Sequence, residues 1–304
     1  MIVLWGIAEE RPLAAVADAL AALGKPVFVL DQRAALELSI EVTFDGGAAG
    51  RLVSPVTSLD LAEITAIYLR PYPPTDLAAI ARRGVGSPGW NHALAVHQAL
   101  RAWTEVTKAR VVNRVTAMAS NTSKPYQLGL LRDLGFAVPE TVVTTDPEVA
   151  RVFLDDHVDV IYKSVSDVRS VVARVTPEHR ERLAAIAGCP TQFQAYVAGT
   201  DVRVHVVGDR LFPVEIETDA VDYRYPGDHE VRRRPTTLPP EIGERCLTAA
   251  KGLGLALAGI DLRRSADDTW YCFEVNPSPA FTYYDEGGQI ARAIAELLSE
   301  GGSP

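Results

Sequence analysis

The sequence predicts an α/β chain, and three observations carry that expectation. Short apolar runs alternate with helical stretches over the first 110 residues, the pattern changes character at Thr122, and two apolar runs near the C-terminus frame a polar turn. Ile2 to Gly6 reads as a buried strand and Leu13 to Leu23 as an Ala-rich helix closed by Gly24. Val27 to Leu30 reads as a strand ending at Asp31. Ile67 to Leu69 is a further strand, running into Arg70-Pro71-Tyr72-Pro73-Pro74; Trp90 to Thr107 is a long helix and Val111 to Asn113 a strand. Strand–helix alternation of this kind suggests a parallel sheet.

Beyond Thr122, Ser123-Lys124-Pro125 opens a helix with Pro at an early position, Leu128, Leu131 and Leu134 on one side, and Gly135 to cap its end. Thr141 to Thr144 and Val160 to Ser164 are strand candidates around a helix from Asp146 to Asp156. Gln192 to Val197 is another strand, and Val202 to Val207 pairs with Leu211 to Glu217 around Gly208-Asp209. Residues 218–240 are polar and rich in Arg and Pro, which reads as a loop. Glu241 to Leu257 and Gly287 to Leu298 close the chain as helices.

At 304 residues the chain can bury a sizeable core, and its length suggests two or three domains. A formal charge of −9 argues against nucleic acid and acidic membrane surfaces as partners, so an anionic substrate needs local Lys and Arg. Cys189, Cys246 and Cys272 are odd in number and far apart, giving neither a disulfide framework nor a zinc motif. The N-terminus lacks the basic and apolar regions of a signal peptide, and no apolar run is long enough to span a membrane. The expectation is a cytoplasmic, reduced protein.

The richest stretch runs Gly259-Ile260-Asp261-Leu262-Arg263, then Trp270-Tyr271-Cys272-Phe273-Glu274-Val275-Asn276-Pro277, with Ser265 to Asp268 as the hairpin turn. Side chains alternate across a strand, so Glu274 and Asn276 share a face, and the hairpin brings Asp261 beside them. Three oxygen ligands on one wall suit a hard cation such as Mg²⁺, which completes its octahedron with water and phosphates. A structural strand end is the competing reading. Lys163 lies inside the apolar strand Val160-Ile161-Tyr162-Lys163, and Lys124 sits at a helix start, where the dipole favours an anion. Ser164 to Ser170 looks like a hairpin tip able to close over phosphates, although it has no glycine. Arg203 and His205 alternate on one strand face, opposite Glu215 and Glu217; they form either a salt-bridged polar face or a phosphate contact through the Arg203 guanidinium. Arg224, in Asp222-Tyr223-Arg224, is a second arginine for the same place. Arg70, at a strand end, is a candidate for binding a substrate carboxylate. Another reading takes the early strand–helix–strand as a Rossmann dehydrogenase domain, and against it Gly6-Ile7-Ala8-Glu9-Glu10-Arg11 lacks the G-x-G-x-x-G turn.

Taken in order, Lys124, Lys163, Gln194-Ala195-Tyr196-Val197, Gly199-Thr200-Asp201-Val202-Arg203, Asp222-Tyr223-Arg224, Asp261, Glu274 and Asn276 resemble the ATP-grasp superfamily. The pattern is most similar to the RimK-type carboxylate–amine ligases and to the graspetide synthetases that cyclise ribosomal peptides, and it covers roughly residues 110 to 300. The resemblance implies an ATP-grasp fold behind a pre-ATP-grasp parallel-sheet domain. Its parts would be residues 1–112, a small lid subdomain with a linker helix at 113–197, and a catalytic subdomain at 198–304. It implies that Lys124 and Lys163 bind ATP phosphates and that Gln194, Ala195, Tyr196 and Val197 form the hinge whose backbone reads adenine. Asp201 would hold the ribose. Asp261, Glu274 and Asn276 would bind Mg²⁺, or Mn²⁺ in its place, and Arg203 and Arg224 would steady the acyl phosphate.

The implied reaction activates a carboxylate as an acyl phosphate, couples it to an amine or hydroxyl, and releases ADP and phosphate. Free metabolites and peptides both stand as substrates, and the chain works either alone or as a homo-oligomer. The glycine-free lid keeps a second reading in view, an ATP-binding module without turnover. The segment Pro277 to Asp285 departs from many relatives in lacking a Gly-rich turn.

Overall fold

Strand–helix alternation in the first third of the chain folds into a parallel sheet because each crossover helix can cover one apolar face. The computed structural model describes residues 1–44, 48–55, 57–165, 172–220, 222–225 and 227–301. It divides into two compact units: residues 1–117 with 254–257 and 278–301, and residues 118–253 with 258–277. The closing segment 278–301, grouped above with residues 198–304, belongs to the first of these.

In the first unit the strands are β1 (Ile2–Gly6), β2 (Val27–Asp31), β3 (Ser39–Phe44), β4 (Ala48–Val53), β5 (Ser58–Asp60), β6 (Ala66–Leu69) and β7 (Arg110–Val112). Four of them form a parallel sheet in the order β2-β1-β6-β7, with Leu4 facing Val29 on one side and Tyr68 on the other. Ile2 to Trp5 are all buried, as strands covered on both faces must be. The helix Arg11–Ala22 packs on the closing helix Gln289–Ser299. The helix Pro88–Val106, capped by Ser87, contributes Leu100 and Trp103 to a core with Trp5 and Ile67. The antiparallel meander β3-β4-β5 is absent from the elements read off the sequence, although Ser39-Ile40-Glu41-Val42-Thr43-Phe44 alternates as a half-buried strand should. Its Leu52 and Leu59 are buried, and Ile40 and Val42 pack against the same core.

In the second unit the strands are β8 (Thr141–Thr144), β9 (Val160–Ser164), β10 (Ala173–Arg174), β11 (Thr191–Ala195), β12 (Thr200–Val207), β13 (Arg210–Glu217), β14 (Arg232–Pro235), β15 (Leu257–Arg264) and β16 (Trp270–Asn276). They make two sheets, ordered β10-β9-β11-β8 and β14-β13-β12-β15-β16. β14 corrects the reading of residues 218–240 as loop throughout. Three consecutive arginines look solvated in sequence, yet β13 sets Glu215 opposite Arg234 and Glu217 opposite Arg232, and opposite charges across a strand pair favour the ladder. The helix Pro240–Gly252 ends earlier than the sequence suggests, and the residues that follow enter β15. Gly199 connects the sheets where only glycine fits: its φ is 155°, and a Cβ there would lie 2.2 Å from the Arg264 carbonyl oxygen.

β16 is the edge of its sheet, and its outer backbone groups need partners. The helix Lys124–Asp133 supplies them. Gln127, buried, donates through Nε2 to the Val275 carbonyl at 2.8 Å and accepts from the Val275 N–H at 3.0 Å through Oε1. Farther along, the Cys272 N–H donates to the Ala137 carbonyl at 2.9 Å. Among the described residues, no helix is long and apolar enough to cross a membrane.

Gln127→Leu strands the Val275 N–H and C=O inside an apolar contact, so it should lower unfolding free energy by roughly 1–3 kcal/mol in urea titration. An unchanged midpoint would mean that the edge of β16 is satisfied in another way.

Candidate active site

The acidic residues of the β15–β16 hairpin are brought together by register. Asp261 stands directly opposite Glu274 and Gly259 opposite Asn276. Between Asp261 and Leu262 the pairing shifts, so Leu262 faces Cys272 and Phe273 is left without a partner. This bulge re-aims consecutive side chains: Phe273 and Glu274 both line the same pocket, where strict alternation would have separated them.

The pocket lies within the second unit and has two walls. β9 and β11 supply Ile161, Lys163 and the Gln194–Val197 segment; β12, β15 and β16 supply Asp201, Asp261, Arg263, Phe273 and Glu274. Asp222, Tyr223 and Arg224 close one side. Of the residues singled out in the sequence, Lys163, Gln194, Ala195, Tyr196, Val197, Asp201, Arg224, Asp261 and Glu274 therefore line one cavity. Arg203 reaches it through Asp261. Lys124, at the start of its helix, lies near enough to Lys163 to act on its charge. Asn276 is in register beside this pair but does not line the pocket.

Charge dominates the interior. Asp261 accepts from the Arg203 guanidinium and, at 2.7 Å, from the Tyr223 hydroxyl. Burial favours its neutral form, but Arg203, Arg224 and these hydrogen bonds prevail and hold the carboxyl below the ordinary range. Arg224 grips Asp222 through two 2.8 Å hydrogen bonds and lies 3.8 Å from Glu274. Lys163 has no carboxylate within ion-pair distance among the described residues. Burial, reinforced by the positive charges of Lys124 and Arg224, lowers its pKa to about 8, with Glu274 and Asp222 acting in the opposite sense. A half-buried ammonium beside further cations is an arrangement that can receive a polyanion.

The second wall is organised by Arg263, which carries no role in the sequence reading. Its Nε and Nη2 each donate to the Asp201 carboxylate at 2.8 Å, and Nη1 donates to the Val197 carbonyl at 2.9 Å. Its guanidinium lies 5.4 Å from the ring centroids of both Tyr196 and Phe273, and Arg174 approaches Tyr196 at 4.0 Å. Asp201 is thereby engaged on both oxygens, leaving its remaining lone pairs for a ligand. Despite these bonds, burial raises its pKa. The available signal for Arg263 was its place two residues after Asp261 on the same strand. For Tyr223 it was adjacency to Arg224, and for Phe273 there was none, because a bulge leaves no mark in composition.

Gln194 has a fixed orientation. The Thr141 hydroxyl donates to the Pro139 carbonyl at 3.0 Å, so it must accept from Gln194 Nε2 at 2.9 Å. That leaves Gln194 Oε1 buried and unpartnered, an acceptor built into the cavity wall.

Two sequence candidates fall elsewhere. Arg70 is not open to a substrate: it binds Glu10 at 2.6 and 3.0 Å and reaches Ser278 and the Pro279 carbonyl, all within the first unit. His205 is fully buried, and burial followed by the Arg203 charge pushes its pKa well down, so it is held neutral. Residues 166–170 of the proposed lid lie outside the described residues.

Among the described residues no group of three or more His, Cys, Asp or Glu is arranged to hold a metal. The hairpin instead offers two carboxylates and an amide. That donor set fits a hard divalent cation whose other ligands are water and phosphate oxygens, and does not fit a closed protein cage.

A family model described as the RimK-like ATP-grasp domain matches residues 119–298. A probable alpha-L-glutamate ligase of Pseudomonas fluorescens (strain Pf0-1) is 25% identical over 206 residues, covering 64% of this chain and 68% of its own. Among solved structures, the ATP-grasp ligase PsnB complexed with minimal precursor, Mg and ADP is similar at 28% identity and a TM-score of 0.81, covering 98% of this chain and 96% of that one. The macrocyclase MdnC of Microcystis aeruginosa MRC, bound with the precursor peptide MdnA, shares the fold at 21% identity and a TM-score of 0.82 over 99% of both chains.

Arg263→Met leaves the Asp201 carboxylate buried without its counter-ion and should cost roughly 3–5 kcal/mol in urea unfolding, whereas Asp201→Leu combined with Arg263→Met should recover most of that loss. A single variant as stable as wild type would show that Arg263 does not anchor this wall.

Proposed function

The chain belongs to the RimK-like ATP-grasp family, and from that premise we propose that it is a ligase acting on a peptide, driven by ATP with Mg²⁺. It is a ligase of the ATP-grasp fold. What the proposal adds is the peptide substrate, the nucleotide and metal, and the residue roles. The observation that carries it is one cavity in which the opposed carboxylates Asp261 and Glu274 face Lys163 and the Gln194–Val197 segment.

Lys163 and Lys124 would take the phosphates. The backbone of residues 194–197 would read adenine, and the acceptor at Gln194 Oε1 suits its exocyclic amine. Asp201, braced by Arg263, would meet the ribose. Asp261, Glu274 and Asn276 would hold Mg²⁺, with Mn²⁺ serving in its place. When bound, the metal supplies charge neutralisation at the phosphate oxygens.

A substrate carboxylate oxygen then attacks the γ-phosphorus, ADP departs, and an acyl phosphate forms. Attack by an amine or hydroxyl on the acyl carbon expels phosphate, giving an amide or ester, and the nucleophile's proton passes to solvent or phosphate. Arg203 and Arg224 are placed beside Asp261 and Glu274, where they can meet the anionic oxygens of both transition states. Both act by position, and Arg224 is held charged against the cost of burial chiefly by Asp222. Nothing in the cavity favours a nucleotide-binding module without turnover. Peptides of the kind bound in the PsnB and MdnC structures are the substrates to try first.

Glu274→Gln should abolish ADP release, by about 10³-fold or more, with the thermal transition unchanged; near wild-type release would end the metal assignment. For the nucleotide, the sign follows from Lys163. Its free-state pKa of about 8 means that the charge is lost as pH climbs through that value, whereas a bound polyphosphate restores it. Calorimetry with a non-hydrolysable ATP analogue should show affinity falling above about pH 8 and proton uptake on binding there. Lys163→Ala should remove both effects, and a flat pH profile in the wild type would separate Lys163 from the phosphates.

A further inference from the structure

Gln192 lies on β11 directly opposite Lys163 on β9, so the two side chains share one face of the sheet. It is the pocket face, since Gln194, two residues along, lines the cavity. Gln192 is 0% exposed, and neither its Oε1 nor its Nε2 has a hydrogen-bond partner among the described residues. An amide with both ends idle is a costly occupant of a buried strand position where Leu or Val would serve. Lys163 is in the complementary condition. It is a half-buried ammonium three donors strong, faced by Lys124 from the helix start, Glu274 from β16, and Asp222 and Arg224 from the loop, with no carboxylate at ion-pair distance among the described residues.

Directly opposed Cβ atoms in an antiparallel pair lie about 4.5–5.5 Å apart, which long side chains span by a rotamer change. We propose that Gln192 is a positioning residue of the nucleotide site: its Oε1 accepts one N–H of the Lys163 ammonium when nucleotide is bound, fixing the other two toward phosphate. Gln192 does not touch the nucleotide in this scheme; it acts through Lys163. The inference rests on the reading that Lys163 binds phosphate. It adds a residue to that reading, and it gives the buried amide the partner that it lacks in the ligand-free fold.

The test is calorimetric titration of the ATP analogue with Mg²⁺ into wild type, Gln192→Leu and Gln192→Glu across the alkaline limit, with thermal unfolding alongside. Gln192→Leu removes only an idle amide from the free protein, so it should be at least as stable as wild type. It should nevertheless bind the analogue about tenfold more weakly, the range for losing a hydrogen bond to a charged group. Its affinity should begin to fall at the same pH as in the wild type, set by the free-protein titration of Lys163, and the deficit should shrink above that pH because the bond that Gln192 adds needs the ammonium. Gln192→Glu gives the ammonium a counter-ion and should move that fall to higher pH. Wild-type affinity in Gln192→Leu below about pH 8, or a deficit that does not change with pH, would overturn the proposal, as would an unshifted profile in Gln192→Glu should the leucine variant fail to fold. Failure of the wild type to bind the analogue at all would remove the nucleotide site itself, a different result from binding that Gln192 does not influence.

Discussion

Two carboxylates opposed across a single register pair in a largely buried sheet are the constraint around which the second unit is built. Asp261 and Glu274 have side chains only 15% and 17% exposed, and like charges so placed repel unless cations stand beside them. Arg203 and Arg224 meet that need from two other segments, and Tyr223 adds a neutral donor to Asp261. Each arginine is therefore a structural counter-charge, and under the proposed function it is also a cation for an anionic ligand. Under that proposal, stability and phosphate binding draw on the same groups.

The second wall solves a parallel problem with different means. Asp201 is largely enclosed, its side chain 12% exposed, and would be expensive as a lone anion, so Arg263 binds it with two parallel hydrogen bonds. The same guanidinium holds the Val197 carbonyl and packs near two aromatic rings, which couples the Gln194–Val197 segment to β15. Lys163 is the group left without such compensation, and its depressed pKa is the physical sign of it. An uncompensated charge of this kind in a cleft marks a candidate ligand site.

Much of this was legible in the sequence. The strands and helices around the site follow from alternation, Pro and Gly placement and caps, all local signals. An acidic residue in each strand of one hairpin predicted their meeting, and β15 and β16 deliver it. The less legible features are those that depend on distant partners. Consecutive arginines at 232–234 read as a solvated loop until β13 supplies two glutamates in register. Arg70 reads as a ligand-binding candidate until Glu10 and residues 278–279 occupy it. Phe273 reads as a residue facing away from Glu274 until a bulge turns it into the same cavity.

By itself, the sequence determined the classes of element, the parallel character of the first sheet, and the types of residue available for phosphate and metal chemistry. Those depend on periodicity and on side-chain chemistry within a few residues of each other. Only the tertiary structure decided which charges are compensated and which are not, because compensation depends on approach between segments far apart in the chain. Arg263 and Asp201 are paired in this way, and so are Gln127 and Val275, while Gln192 and Lys163 are opposed but unjoined. The difference between a structural ion pair and a waiting cation is a matter of a few ångströms, and that distance is set by packing.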